Sequence, residues 1–280
     1  MNAFVTLVMK NGHYVNGALV MAYSLKLTKT KYPVICMTTT DIYYQYKNLL
    51  EKAFDQVMLI PYINYKTLNL YTKKQNEIYK DWKDISFTKW NCLNLSQYNK
   101  ICLLDADIVI QKNIDHLFNL QAPAGCFGNN WDSKVNYYDE INYGEIINNK
   151  ILQKGLNDGY IVNGHCIVLE PSSKIYNKFI NFMKLGNYKN DKKCISMTDE
   201  VALVKFFIAE NKPWTQIDKR YNCIPWKNNN IDNQYILHYF NKNKPWQLKR
   251  NEWDDLKYWY KIWDLLCKKF PELVNSIQSH

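Results

Sequence analysis

Asp105-Ala106-Asp107 follows directly on the apolar run Ile101-Cys102-Leu103-Leu104. In an extended segment alternate side chains face alike, so the two carboxylates would project to one side with a small residue between them. Such a pair suits a hard cation. Mn²⁺ or Mg²⁺ takes oxygen ligands and commonly binds through a few carboxylates plus substrate phosphates, so two acids and a diphosphate complete most of a shell. A chain of this size contains on the order of one such acid pair by composition alone, and a surface turn is the plain alternative; placement straight after a buried strand favours the metal. His238 closes a second apolar run, Tyr235-Ile236-Leu237, and Lys244-Pro245-Trp246 begins six residues later. The imidazole offers a nitrogen ligand and the lysine a charge for phosphate, although a histidine at a strand end is more often simply hydrogen-bonded. Asp199-Glu200 follows Thr198 at a helix start, where threonine caps and acids favour the positive end of the dipole. That role suffices by itself; the chemical reading is a carboxylate that stabilises positive charge developing at an anomeric carbon.

The elements that must position these groups alternate. Phe4 to Val8 reads as a strand, and Val15, Ala18, Leu19, Ala22 and Leu25 recur at helical spacing after the turn at Asn11-Gly12. A strand at Pro33 to Met37, a helix from near Asp41, a strand at Val57 to Ile60, a helix around Phe87 to Leu95 and the strand Ile101 to Leu104 continue the series. This is the pattern of an α/β chain with a Rossmann-like, mostly parallel sheet flanked by helices. Ligands of such sheets sit beyond the carboxyl ends of the strands, where the loop after Val8 and the acids at 105 and 107 both fall. The second half offers a strand at Cys166 to Leu169, helices near Lys174 to Met183 and Thr198 to Phe207, and a strand at Tyr235 to Tyr239. A last helix gathers Leu256, Trp259, Tyr260, Trp263, Leu266 and Phe270 into one apolar stripe.

A length of 280 residues with 47% hydrophobic content supports one large core. The scarcity of glycine (9) and proline (8) argues against linkers, so a single domain is expected over 1–280, with the acid motif closing its first half at 1–110, a second half at 111–250 and a C-terminal helix at 251–280. The formal charge of +10 favours an anionic partner. Lysines are scattered, however, and no nucleic-acid motif accompanies them, so a basic, aromatic-rich nucleic-acid binder is the weaker alternative. Attachment to a membrane surface through the last helix, with Lys257, Lys261, Lys268 and Lys269 around its stripe, is another. The 8 cysteines include no C-x-x-C pair, and neither a signal peptide nor an apolar span is legible, so a cytoplasmic protein with buried thiols is expected.

In this order the segments resemble glycosyltransferase family 8, especially its glycogenin and galactinol-synthase-like branch, from about residue 3 to about residue 266. Ala3-Phe4-Val5-Thr6-Leu7 followed by Asn11-Gly12-His13-Tyr14-Val15-Asn16-Gly17 is similar to the family's uridine-binding opening. Lys89 stands sixteen residues ahead of Asp105, and Asp105-Ala106-Asp107 matches the metal motif. His238 to Trp246 meets the pattern H-x-x-G-x-x-K-P-W except at Asn241, which replaces its glycine. Val162-Asn163-Gly164-His165 stands for F-N-[SG]-G, and Asp199-Glu200 for Asp-Gln.

The resemblance implies a GT-A fold with a nucleotide-binding half at 1–110 and a sugar and acceptor half at 111–250, and a UDP-sugar donor whose base is held by the backbone of Leu7 and Val8, by Asn11 and by Tyr14. It implies Mn²⁺, with Mg²⁺ as the alternative, on Asp105, Asp107 and His238. Ala106, Asn163, Gly164 and Glu200 line the donor, Lys89 and Lys244 meet the diphosphate close to Asn241, and Asp199 faces the anomeric carbon. It further implies transfer of a hexose, glucose first, with retention of configuration, to a glycan, polyol or protein side chain, and it admits a homodimer.

Overall fold

Strand β1 (Ala3–Val8) is an apolar, β-branched run buried on both faces, as strands of a covered parallel sheet must be. It is followed by helix α1 (Val15–Leu27), β2 (Val34–Thr38), α2 (Thr40–Leu50) and β3 (Gln56–Leu59). β1 pairs parallel with β2, from Phe4 opposite Val34 to Val8 opposite Thr38, and β2 pairs parallel with β3. The computed structural model describes residues 1–10, 12–67, 73–127, 141–158, 162–187, 198–225, 230–248 and 254–276.

Two compact units, interleaved along the chain, divide the molecule. The first comprises residues 2–60, 103–117 and 220–280, and the second residue 1 with 61–102 and 118–219. In the first unit the strand order is β3-β2-β1-β4, where β4 (Ile101–Leu104) contributes its last two residues. A separate two-stranded sheet joins β5 (Ile108–Ile110) antiparallel to β10 (Ile236–His238). Helix α7 (Asp254–Lys269) packs on α1. The second unit continues from the first two residues of β4 in the order β4-β8-β6-β9-β7. Here β6 (Ala124–Phe127) runs antiparallel to β8 (Val162–Leu169) and parallel to β9 (Trp214–Gln216), and β7 (Ile146–Ile147) is antiparallel to β9. Helices α3 (Lys73–Tyr79), α4 (Asn149–Asp158), α5 (Ser173–Lys184) and α6 (Thr198–Ala209) complete it.

The α/β class and the alternation of the first hundred residues are as the hydrophobic pattern predicts. The segment expected as a helix around Phe87 to Leu95 is a 3₁₀ stretch, Ser86–Asn94. Its polar side chains bond nearby backbone: Ser86 Oγ donates to Lys83 O at 2.9 Å and Asn91 Nδ2 to Thr88 O at 2.9 Å. Such local bonds compete with the α-helical ladder. The strand expected from Cys166 begins at Val162, which puts Asn163 and Gly164 inside β8. Strands β5, β6, β7 and β9, of two to four residues each, are too short to carry a readable period.

The aromatic stripe of α7 lies in the core while its lysines are exposed, so the stripe is not available to a membrane surface. Trp259 and Trp263 are 1% and 4% exposed and stack with ring centroids 5.8 Å apart. No helix among the described residues is long and apolar enough to cross a membrane. The described cysteines are thiols, all buried but Cys267, and burial pushes the Cys36 and Cys92 thiols far up. Replacing Trp259 by alanine removes a ring packed among Trp246, Tyr260 and Trp263. A loss of about 3–5 kcal/mol of stability is expected, to be read from urea unfolding at unchanged m-value.

Candidate active site

The acids of the 105–107 motif do not lie on an extended strand, as the alternation argument assumed. The chain leaves β4 at Leu104, turns through Ala106 and Asp107, and enters β5 at Ile108. It must turn there because β4 and β5 belong to different sheets. The turn and the strand opposite it bring the acids together with His238: one ligand atom from each of Asp105, Asp107 and His238 lies within 4.8 Å of the others. The register places His238 opposite Ile108, next to the motif, and Tyr239 N donates to Asp107 O at 2.9 Å.

Each side of this cluster is fixed by buried groups. His238 Nε2 is 3.6 Å from Asp107 Oδ1, and its Nδ1 bonds Asn222 Oδ1 at 3.0 Å. Lys244, 6% exposed, donates to Asp107 Oδ2 at 2.6 Å and to Tyr239 O at 2.8 Å. Burial works to raise the Asp107 pKa, but the Lys244 ammonium, then His238 and hydrogen bonds, outweigh it and hold the carboxyl below its ordinary range. The lysine is itself held by a cap: Gln247 Oε1 accepts from Lys244 N at 3.0 Å, Gln247 N donates back to Lys244 O at 2.9 Å, and Pro245 starts the following turn. Lys244 Nζ lies 5.6 Å from the Tyr14 ring centre, and Tyr14 meets Trp246 edge-on at 5.5 Å. Gly17 closes the packing, since a Cβ there would come within 2.5 Å of the Trp246 ring and 2.6 Å of Ala106 O. Val8 is buried and Leu7 partly so at the end of β1, Asn241 is exposed, and Asn11 lies outside the described residues.

The second unit gathers the remaining candidates. Lys89 Nζ lies 3.2 Å from Asp199 Oδ2, with Asp199 1% exposed in the first turn of α6. Trp90 Nε1 donates to Asp199 O at 3.1 Å and lies under the Lys89 ammonium. Glu200 Oε1 accepts from Gly164 N at 2.7 Å, so the start of α6 is tied to the start of β8 beside Asn163. A Cβ on Gly164 would fall 2.5 Å from that oxygen and would require the Glu200 side chain to shift. His165 is 1% exposed. Sequence reasoning missed Asn222 and Gly17. The spacing of Asn222 from His238 carries no motif, whereas Gly17, inside a helical pattern, was a signal for a close approach.

Two carboxylates and an imidazole whose Nδ1 is bonded to Asn222 fit a divalent cation that accepts oxygen and nitrogen ligands. The glycosyl transferase family 8 model matches residues 5–249, and the chain belongs to that family: it is a glycosyltransferase. It is 30% identical to Uncharacterized protein R707 of Acanthamoeba polyphaga mimivirus, over 99% of this chain and 96% of that one. It is 23% identical to mouse Glycogenin-1, over 89% of this chain and 66% of that one. Among solved structures, the galactosyltransferase LgtC in complex with donor and acceptor sugar analogs shares the fold, with a TM-score of 0.54 at 13% identity over 94% of this chain and 95% of that one.

Removing one partner of a buried pair leaves the other charge uncompensated. Lys244→Met is therefore expected to cost about 3–5 kcal/mol at neutral pH. The Asp107 pKa is depressed in the folded protein, so the pair's contribution is present above the ordinary carboxylate pKa and lost as pH falls through the depressed value. The gap between variant and wild type should thus close on acidification below about pH 4, measured by urea titrations at a series of pH values; a gap constant with pH would remove the ion pair from the account.

Proposed function

We propose that the protein is a metal-dependent, retaining hexosyltransferase that moves a hexose, glucose first, from a UDP-sugar to a glycan, polyol or protein side chain. The observation that carries this reading is the Asp105, Asp107, His238 cluster with the buried Lys244 against it. Asp105, Asp107 and His238 would hold Mn²⁺ or Mg²⁺, which when bound supplies Lewis-acid stabilisation of the departing diphosphate.

The chain's own groups do the rest. Lys244 brings a positive charge already desolvated, so its field on a developing phosphate charge is screened less than that of a surface lysine. Tyr14, in T-shaped contact with Trp246, offers its ring to the uracil base, alongside the backbone of Leu7 and Val8 and the side chain of Asn11. Asp199 is assigned to the anomeric carbon, and its pairing with Lys89 gives that carboxylate a fixed direction before substrate arrives. Lys89 keeps its assignment to the donor phosphates, and Asn163 and Gly164 theirs to the sugar. Glu200 holds the Gly164 amide in place, and Asn241 is exposed where the family's glycine adjoins the diphosphate. A cytoplasmic location and a homodimer belong to the same reading.

UDP release by the purified protein, screened over UDP-glucose, UDP-galactose, UDP-N-acetylglucosamine and UDP-xylose, is expected with Mn²⁺ and from one donor, and to stop on adding EDTA. Asp105→Ala and Asp107→Ala should each fall to background while melting cooperatively. Undiminished transfer by either variant would sink the metal assignment.

A further inference from the structure

Asn222 is a buried side chain bonded to the His238 ring at Nδ1, and no motif predicts it. Its position is built in by backbone. Cys223 and Leu237 form an isolated parallel bridge, with Cys223 N donating to Ile236 O at 3.1 Å and His238 N to Cys223 O at 2.7 Å. Tyr235 N donates to Arg220 O at 2.8 Å, and the Tyr221 and Tyr235 rings stack at 4.5 Å and 5°. Segment 220–223 is thereby locked in register against β10. Asn222, 4% exposed, falls beside His238, 8% exposed, with Oδ1 on Nδ1.

An amide oxygen only accepts, so the ring nitrogen bonded to it must carry the hydrogen. A neutral imidazole has a single N–H, and Nε2 is then left with its lone pair. That nitrogen stands 3.6 Å from Asp107 Oδ1, beyond hydrogen-bond length and on the side of the two carboxylates. We propose that Asn222 is a positioning residue: it holds the His238 proton on Nδ1 and keeps Nε2 unprotonated toward Asp105 and Asp107, ready to ligate a cation. The proposal rests on the metal site of the proposed function. Were the amide turned so that its NH₂ faced Nδ1, the proton would sit on Nε2 and the ring could not be a ligand. Asn222 thus decides whether the third ligand exists. Being neutral, it fixes the tautomer without adding charge to the site, which a carboxylate in its place would do.

The test begins on the metal-free full chain with ¹⁵N-labelled histidine at pH 8, reading two-bond ¹H–¹⁵N correlations, with His238→Gln identifying the signal. The wild type should show the Nδ1–H tautomer, and Asn222→Leu, which has no acceptor, should move to Nε2–H or a mixture. Calorimetry with Mn²⁺ should then find Asn222→Leu weaker by about 10-fold or more, and Asn222→Asp, which keeps the acceptor, as tight as wild type or tighter. An Nε2–H tautomer in the wild type overturns the proposal, as does Nδ1–H in both wild type and Asn222→Leu. Equal Mn²⁺ affinity of Asn222→Leu and wild type overturns it too. The wild-type tautomer decides the matter even if Asn222→Leu fails to fold. A wild type with the Nδ1–H tautomer that takes up no Mn²⁺ overturns instead the metal assignment of the proposed function, with the role of Asn222 on the ring upheld.

Discussion

Keeping the Asp107 carboxylate ionised where water hardly reaches it would cost several kcal/mol if it stood alone. Lys244 supplies what the lost water would have, and the geometry of the first unit can be read as the means of holding it there with His238 alongside. β10 must pair with β5 in one register for His238 to arrive beside the motif. The lysine comes from a loop that the following Pro245 and Gln247 pin by a reciprocal cap. Trp246 packs between Tyr14 and Trp259, and Gly17 is bare because a side chain would drive into Trp246 or the Ala106 carbonyl. The same arrangement leaves Asp107 with one oxygen on Lys244 and the other toward the imidazole, so the lysine both neutralises the acid and aims it. A pair of this kind is poor evidence for stability and good evidence for a purpose, since an apolar pair of similar volume would serve packing as well.

The second unit solves a related problem with local means. A 3₁₀ stretch, favoured by the Ser86 and Asn91 side chains that bond nearby backbone, carries Lys89 and Trp90 to the first turn of α6. Asp199 and Glu200 are neighbours in sequence with opposite duties. Asp199 is buried against a lysine, whereas Glu200 reaches across to the Gly164 amide. An acid in place of the family's glutamine keeps the carbonyl-like acceptor for that amide, which is why the substitution is compatible with the local fold.

Much of this was legible in the chain. The β-α-β alternation of the first hundred residues follows from apolar runs bounded by turns, because strands buried on both faces need continuous hydrophobicity. The acids, the histidine and the lysine were legible as residue types after apolar strands. The 3₁₀ stretch was not, since its apolar spacing is helical and only the hydrogen bonds of its polar side chains tip the balance. Nor were the strands β5, β6, β7 and β9, whose stability comes from neighbours and not from their own few residues.

The class of fold, the family and the set of groups able to do chemistry could be read from the order of residues alone, because these depend on composition and spacing along one strand or helix at a time. It took the folded chain to show that the 105–107 acids converge through a turn, that His238 meets them, that Lys244 pairs with Asp107, and that Asn222 sits behind the imidazole. Those facts depend on pairing between segments more than a hundred residues apart, from 105–110 to 236–244, and on which side of each side chain is withheld from water. Neither is written in spacing.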